Sequence, residues 1–358
     1  MKRKEGGAME PYGLVLAGGG AKGAYEMGAW KAMRELGVTF SAVAGVSIGA
    51  LNGALIAEDN YDGALELWNT ITIDRGVNLS TQLRVPDNLF SAKNLPRLLV
   101  EILRNRGIDT SPLKELMGAY IHEERVRASK IELGIITFDL SGLKPLELFV
   151  QDMPEGKLID CLLASARCPG LVNQGPDDRR YLDGGVFDNA PIETLRRLGY
   201  NRLAVVDISS MKGIGHKQAL ANCEMVYIAP YNVDELGAAF DFSHEMIEKR
   251  LTMGYLDALK AFGKLAGQWF YFEPGDFREL RERVGVQARE QLERLALAAN
   301  LPRLQVYGWE AFLETLARAT DAAPGLRNER SNGLRSRFRL NDDLSAAWRA
   351  IEEWKARE

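Results

Sequence analysis

GLVLAGGGAKGAYEMGAW, residues 13 to 30, sets an apolar run against a cluster of glycines and turns at once into helical spacing. Leu14 to Ala17 read as a short buried strand and Ala24 to Leu36 as a helix, so the glycines occupy a strand-to-helix turn. Amides in such a turn can cradle a phosphate or face another developing negative charge. The order Gly18-x-Gly20-x-x-Gly23 fits the dinucleotide fingerprint, which also needs an acid about 20 residues on to hold the ribose hydroxyls. That region reads VTFSAVAGVS and contains none, and Glu35 falls too early, inside the helix. The mononucleotide loop fails too, because Lys22 is followed by Gly23 rather than Ser or Thr. A dinucleotide-binding oxidoreductase is left as the alternative reading.

Ser41 to Ala44 read as the next strand, running into Gly45-Val46-Ser47-Ile48-Gly49 and the small-residue helix ALNGALIA. This is G-x-S-x-G between strand and helix: a nucleophile on a strained turn, with flanking glycines that let neighbouring backbone pass close by. The helix N-terminus also favours an alkoxide developing on Ser47. A glycine-rich turn carrying an idle serine has the same pattern, so a second feature is needed. YLDGGVFDN, residues 181 to 189, offers one: Asp183 ends a short apolar segment, followed by Gly184 and Gly185.

Together GGGAKG, GVSIG and the distant DGG resemble the patatin-like phospholipase family in order and spacing, as do IDTSPLKEL (108–116), ASARCPG (164–170) and YLDGGVFDNAPI (181–192). The resemblance covers residues 11 to 265 and departs at LVNQGPDDRR, after Pro169. It implies a three-layer α/β/α fold with a mainly parallel sheet, and a serine lipid acyl hydrolase of phospholipase A, lysophospholipase or esterase type. In that reading Gly18, Gly19, Gly20, Ala21, Lys22 and Gly23 form the oxyanion loop, with the amides of Gly19, Gly20 and Ala21 facing the substrate oxygen. Lys22 takes the family's basic position, where it orients the loop, meets a lipid phosphate or is a solvated loop lysine. Ser47 and Asp183 form a Ser-Asp dyad working through an acyl-enzyme. The substrate is a phospholipid or other acyl ester, with no cofactor and no metal. A catalytically idle module keeping only the fold is the other alternative.

A Ser-Asp-His triad drawn from Ser47, Asp207 and His216 or His244 is rejected, because the α/β-hydrolase order places several strands before the elbow and only one fits here. His122 lies in the charged run HEERVR, His216 in a Gly/Lys loop and His244 at a helix start. Asp139, Asp188 and Asp207 read as turn or strand-end caps, Asp188 being the most credible competitor to Asp183.

The 358 residues are 46% hydrophobic and carry a net charge of −4, without a dense basic block, which argues against a nucleic-acid partner. Cys161, Cys168 and Cys223 lack metal or C-x-x-C spacing and read as buried free thiols in a reducing compartment. The basic start has no apolar segment behind it, and no apolar run is long enough to span a bilayer. The expectation is a cytoplasmic protein whose membrane contact is peripheral.

Strands are expected at 13–17, 41–45, 131–139, 145–150, 202–207 and 225–229, and helices at 24–36, 48–58, 62–70, 94–105, 156–166 and 190–198; this alternation argues a mainly parallel sheet covered on both faces. Residues 72–128 are expected to form a helical wall over the cleft, where Leu89-Phe90, Leu95-Pro96 and Leu98-Leu99-Val100 near Arg97, Arg104 and Arg106 either dock on lipid or pack on the sheet. Ile247, Leu251, Tyr255, Leu259 and Phe262 form one helical stripe, read as core, with membrane docking as the alternative. The expected domains are an acyl hydrolase domain over 11–270 and a charged helical C-terminal extension over 271–358.

Overall fold

The computed structural model describes residues 10–71, 111–139, 144–166, 181–183, 190–209, 223–239, 241–323 and 344–357. They belong to two compact units, Met1–Ala258 and Leu259–Glu358.

The first unit is built on a seven-stranded sheet. Its strands are β1 (Tyr12–Leu16), β2 (Phe40–Val46), β3 (Glu132–Asp139), β4 (Lys144–Phe149), β5 (Tyr181–Asp183), β6 (Arg202–Val206) and β7 (Glu224–Ile228). The order is β4-β3-β2-β1-β6-β7, with β5 attached to β3 off this path. The pairs β1/β2, β2/β3, β1/β6 and β6/β7 are parallel, whereas β4 and β5 run antiparallel to β3. The sheet is therefore mainly parallel, as the alternating pattern predicts.

Its helices are α1 (Ala24–Glu35), α2 (Ile48–Ala57), α3 (Tyr61–Thr70), α4 (Ser111–Tyr120), α5 (Glu123–Ala128), α6 (Leu158–Ser165), α7 (Ile192–Arg197) and α8 (His244–Ala261). The helix expected at 94–105, the docking residues proposed within 72–106 and the LVNQGPDDRR segment lie outside the described residues.

Alternation along β1 separates the two helical layers. A Cβ on Gly13 would touch Leu195 of α7, so the Gly13 and Val15 face looks toward α7. A Cβ on Gly53 of α2 would meet Val43, Leu133 and, further off, Leu16, which places α2 on the opposite face. Sandwiched there, α2 is buried from Gly49 to Ala57, which explains a helix made of small and apolar residues with Asn52 as its one polar side chain.

Helix α8 departs from the sequence reading. Of the expected stripe Ile247 is fully buried, but Leu251, Tyr255, Leu259 and Phe262 are only partly so; the buried face runs through Ile247, Arg250, Met253, Gly254, Asp257 and Ala258. Glycine packing sets this rotation. A Cβ on Gly254 would lie 1.9 Å from the Tyr25 carbonyl oxygen, and one on Gly28 would lie 1.9 Å from that of Leu251. Backbone thus meets backbone between α1 and α8, and Tyr25 donates its hydroxyl to Asp257 at 2.8 Å.

In the second unit, α9 (Pro274–Val284), α10 (Val286–Ala298), α11 (Trp309–Ala322) and α12 (Ser345–Lys355) accompany a parallel pair, β8 (Tyr271–Phe272) and β9 (Val306–Tyr307). Phe270, Phe272, Leu292, Phe312, Leu316 and Ile351 lie in its own apolar core. Glu293 caps the chain entering that core by accepting the amides of Gln268, Trp269 and Phe270. Among the described residues no helix is long and apolar enough to cross a membrane.

Candidate active site

Because β1 and β2 are parallel neighbours, with Leu16 opposite Gly45, the glycine loop after β1 and Ser47 after β2 emerge at the same end of the sheet. The strand order turns back at β1, the place where open α/β sheets gather ligands. At the end of β2, where a dinucleotide site needs a carboxylate, the chain has Ser47.

Ser47 has φ 55° and ψ −121°, a left-handed conformation that costs a non-glycine residue about 1–3 kcal/mol. The flanking glycines permit this turn. A Cβ on Gly45 would sit 2.3 Å from the Gly49 carbonyl oxygen, and one on Gly49 would sit 2.7 Å from those of Leu16 and Ala17. The Ser47 carbonyl starts α2 by accepting the amides of Ala50 and Leu51. Its own amide donates to Ser165 Oγ at 2.8 Å, and Ser165 donates onward to the Ile136 carbonyl at 2.5 Å. The last residue of α6 thereby ties the elbow to β3. Ser165 lies within ASARCPG, where sequence reasoning gave it no role.

Strand pairing locates Asp183. Since β4 runs along one edge of β3 from Gly134 to Asp139, β5 must take the other, the edge that β2 occupies as far as the Val46–Ile136 pair. Asp183 pairs with Thr137, the next residue along β3. The Asp183 backbone thus continues the line of β2 at the point where Ser47 leaves it. Gly184, Gly185 and Asp188 lie outside the described residues.

The glycine loop is a 3-10 turn over Gly20–Gly23, with Gly20 at φ 60°. A Cβ on Gly20 would stand 2.3 Å from the Ala239 carbonyl oxygen. That oxygen accepts the Ala21 amide at 2.6 Å. This corrects one expectation: the Ala21 amide holds the loop to residue 239 instead of facing the cleft. The Lys22 amide donates to Gly19, and burial, then the Arg250 guanidinium, lower the pKa of its side chain, while Asp234 partly opposes this.

Beneath the loop Asn52 Nδ2 donates to the Gly23 carbonyl and to Glu26 Oε2, and Asn52 Oδ1 accepts from Trp68. Burial raises the Glu26 carboxyl well above the usual range, against a smaller opposing effect from the Asn52 hydrogen bond. Polar residues inside an apolar helical pattern gave no sign of this network.

The other candidates have separate attachments. His122 pairs with Glu58 and His244 with Glu248. Asp207 accepts from the Ser209 amide and hydroxyl and from Tyr227, the cap expected at a strand end. His216 and Cys168 lie outside the described residues; Cys161 is buried as expected, whereas Cys223 is only partly so and donates its thiol to the Glu224 carbonyl. Among the described residues no cluster of His, Cys, Asp and Glu could hold a metal ion.

Fold and elbow define a three-layer α/β protein with a strained serine beside a glycine loop. The chain belongs to the patatin-like phospholipase family, whose model matches residues 14–196. It is similar to the probable lipid hydrolase 463L of Invertebrate iridescent virus 6, at 26% identity over 188 residues, covering 50% of this chain and 61% of that protein. It is also similar to the neuropathy target esterase sws of Drosophila melanogaster, at 60% identity over 207 residues, covering 55% of this chain and 13% of that one. The chain thus spans less than two thirds of either relative. VipD from Legionella pneumophila aligns in structure with a TM-score of 0.41 and 16% identity, over 96% of this chain and 79% of that one.

Proposed function

We propose that the protein is a serine lipid acyl hydrolase in which Ser47 is the nucleophile and Asp183 its base. The observation that carries this reading is the strained Ser47, wedged between Gly45 and Gly49 beside the glycine loop. Ser47 Oγ attacks the ester carbonyl while Asp183 takes its proton. The oxygen that becomes negative is met by amides of the loop, those of Gly19 and Gly20 being the ones on offer once Ala21 is engaged with Ala239. Each such donor is worth about 2.7–4 kcal/mol in other hydrolases. Asp183 returns the proton to the leaving alcohol, and water activated by the same carboxylate then releases the fatty acid from Ser47. A carboxyl pKa near 4 makes a weak base toward an alcohol, and partial desolvation in an apolar cleft strengthens it.

Family membership and the lipid hydrolase and esterase names of the two relatives favour an ester-bonded lipid as substrate, reached by peripheral contact with its bilayer. A fluorophosphonate probe tests the assignment by intact mass. One adduct per chain is expected, with none in Ser47→Ala. Labelling that persists in that variant overturns it.

A further inference from the structure

Arg250 is fully buried, yet its four hydrogen bonds among the described residues go to main-chain carbonyls. Nε donates to Leu236 at 2.8 Å, Nη2 to Ala238 at 3.0 Å, and Nη1 to Asp241 at 2.5 Å and to Ala21 at 3.1 Å. Three of these acceptors lie on the segment whose Ala239 carbonyl receives the Ala21 amide, and the fourth is Ala21 itself. The Ala21 residue is consequently held from both ends, its N–H by residue 239 and its C=O by the guanidinium. Arg250, Gly254 and Asp257 share one face of α8 at spacings of four and three. Gly254 fixes the depth of that face on α1, and Asp257 fixes it to Tyr25, two residues beyond Gly23 of the glycine loop. Arg250 lies beyond the residues matched by the family model.

We propose that Arg250 is a positioning residue for the acyl-transfer reaction: by clamping the carbonyls of Leu236, Ala238 and Asp241 against Ala21 it sets the Gly19 and Gly20 amides at the angle the tetrahedral oxyanion requires. The inference rests on the hydrolase reading above. A guanidinium suits the task because its rigid planar fork reaches several acceptors at once, which an ammonium cannot reproduce. Gly237, at φ 67°, provides the turn that brings the carbonyls of 236 and 238 onto this fork.

The test is steady-state hydrolysis of a short soluble ester by Arg250→Ala and Arg250→Lys, with Ser47→Ala as reference. Full loss of an oxyanion donor costs about 10²–10³-fold in kcat, so a misaligned loop is expected to cost about 10-fold or more, at nearly unchanged KM. Ethylguanidinium should restore part of the Arg250→Ala rate, whereas ethylammonium should not. If neither Arg250 variant folds, Gly237→Ala bends the same segment without removing the guanidinium and should reproduce the kcat loss. Wild-type kcat in a folded Arg250 variant or, failing those, in folded Gly237→Ala, overturns the proposal. So does equal rescue by both amines. Turnover by Ser47→Ala would instead overturn the hydrolase reading itself.

Discussion

Replacing Ser165 by Ala removes one oxygen from beneath the elbow. The Ser47 amide then has no acceptor, and because Ser165 is completely buried water cannot take its place. An orphaned buried amide costs about 1–3 kcal/mol. The lost donor to Ile136 adds less, since carbonyls tolerate under-satisfaction better. For a unit of this size each kcal/mol lowers Tm by about 2–4 °C, so a fall of about 2–12 °C is expected. Activity should suffer separately. The backbone of Ser47 is strained, and such conformations persist only where their surroundings over-determine them. If about 1–2 kcal/mol of that restraint goes, kcat falls about 5–30-fold, with KM nearly unchanged. Thr194→Val is the control. It removes a buried hydroxyl that ties α7 to β4 through Glu147, and it leaves the Ser47–Ser165 hydrogen bond and the Asp183–Thr137 pairing untouched. Thermal unfolding and turnover of a soluble ester by both variants check the argument. Wild-type kcat in folded Ser165→Ala, or an equal kcat loss in Thr194→Val, would refute it.

Asp183→Asn should lower ester turnover by at least the roughly 10²–10⁴-fold typical of general-base loss, whereas His122→Ala, His216→Ala and His244→Ala should keep most of it; a comparable loss in any folded histidine variant would restore the triad. Gly254→Ala drives a methyl into the Tyr25 carbonyl, and overpacking of this kind costs about 1–3 kcal/mol or more, visible in denaturant unfolding; unchanged stability would mean that α1 and α8 do not meet backbone to backbone. Glu26→Gln tests the buried carboxyl. The folded-state pKa of Glu26 is raised, so its contribution to stability is present below the unfolded value of about 4.3 and is lost as pH rises toward the folded value. The stability of Glu26→Gln relative to wild type should therefore climb with pH across that interval and then level off. A difference that is flat from pH 4 upward would contradict the shift.

The sequence by itself determined six of the seven strands of the sheet, the helices expected at 24–36, 48–58, 62–70, 156–166 and 190–198, and the place of the nucleophile turn. β1, β2 and α2 fall within two residues of their expected bounds because buried parallel strands and helices carry their periodicity locally, and GVSIG carries its steric requirement in its own glycines. Tertiary structure decided what depends on partners distant in the chain. Asp183 comes next to the end of β2 only because β5 takes over an edge of β3 that β2 vacates. Ser165 reaches Ser47 across 118 residues of chain, and Arg250 reaches Ala21 across 229. The buried face of α8 misled the hydrophobic pattern for the same reason. Two glycines let the helices touch along their backbones, and that contact turns Arg250 and Asp257 inward, where carbonyls and a tyrosine hydroxyl replace the water they would otherwise require.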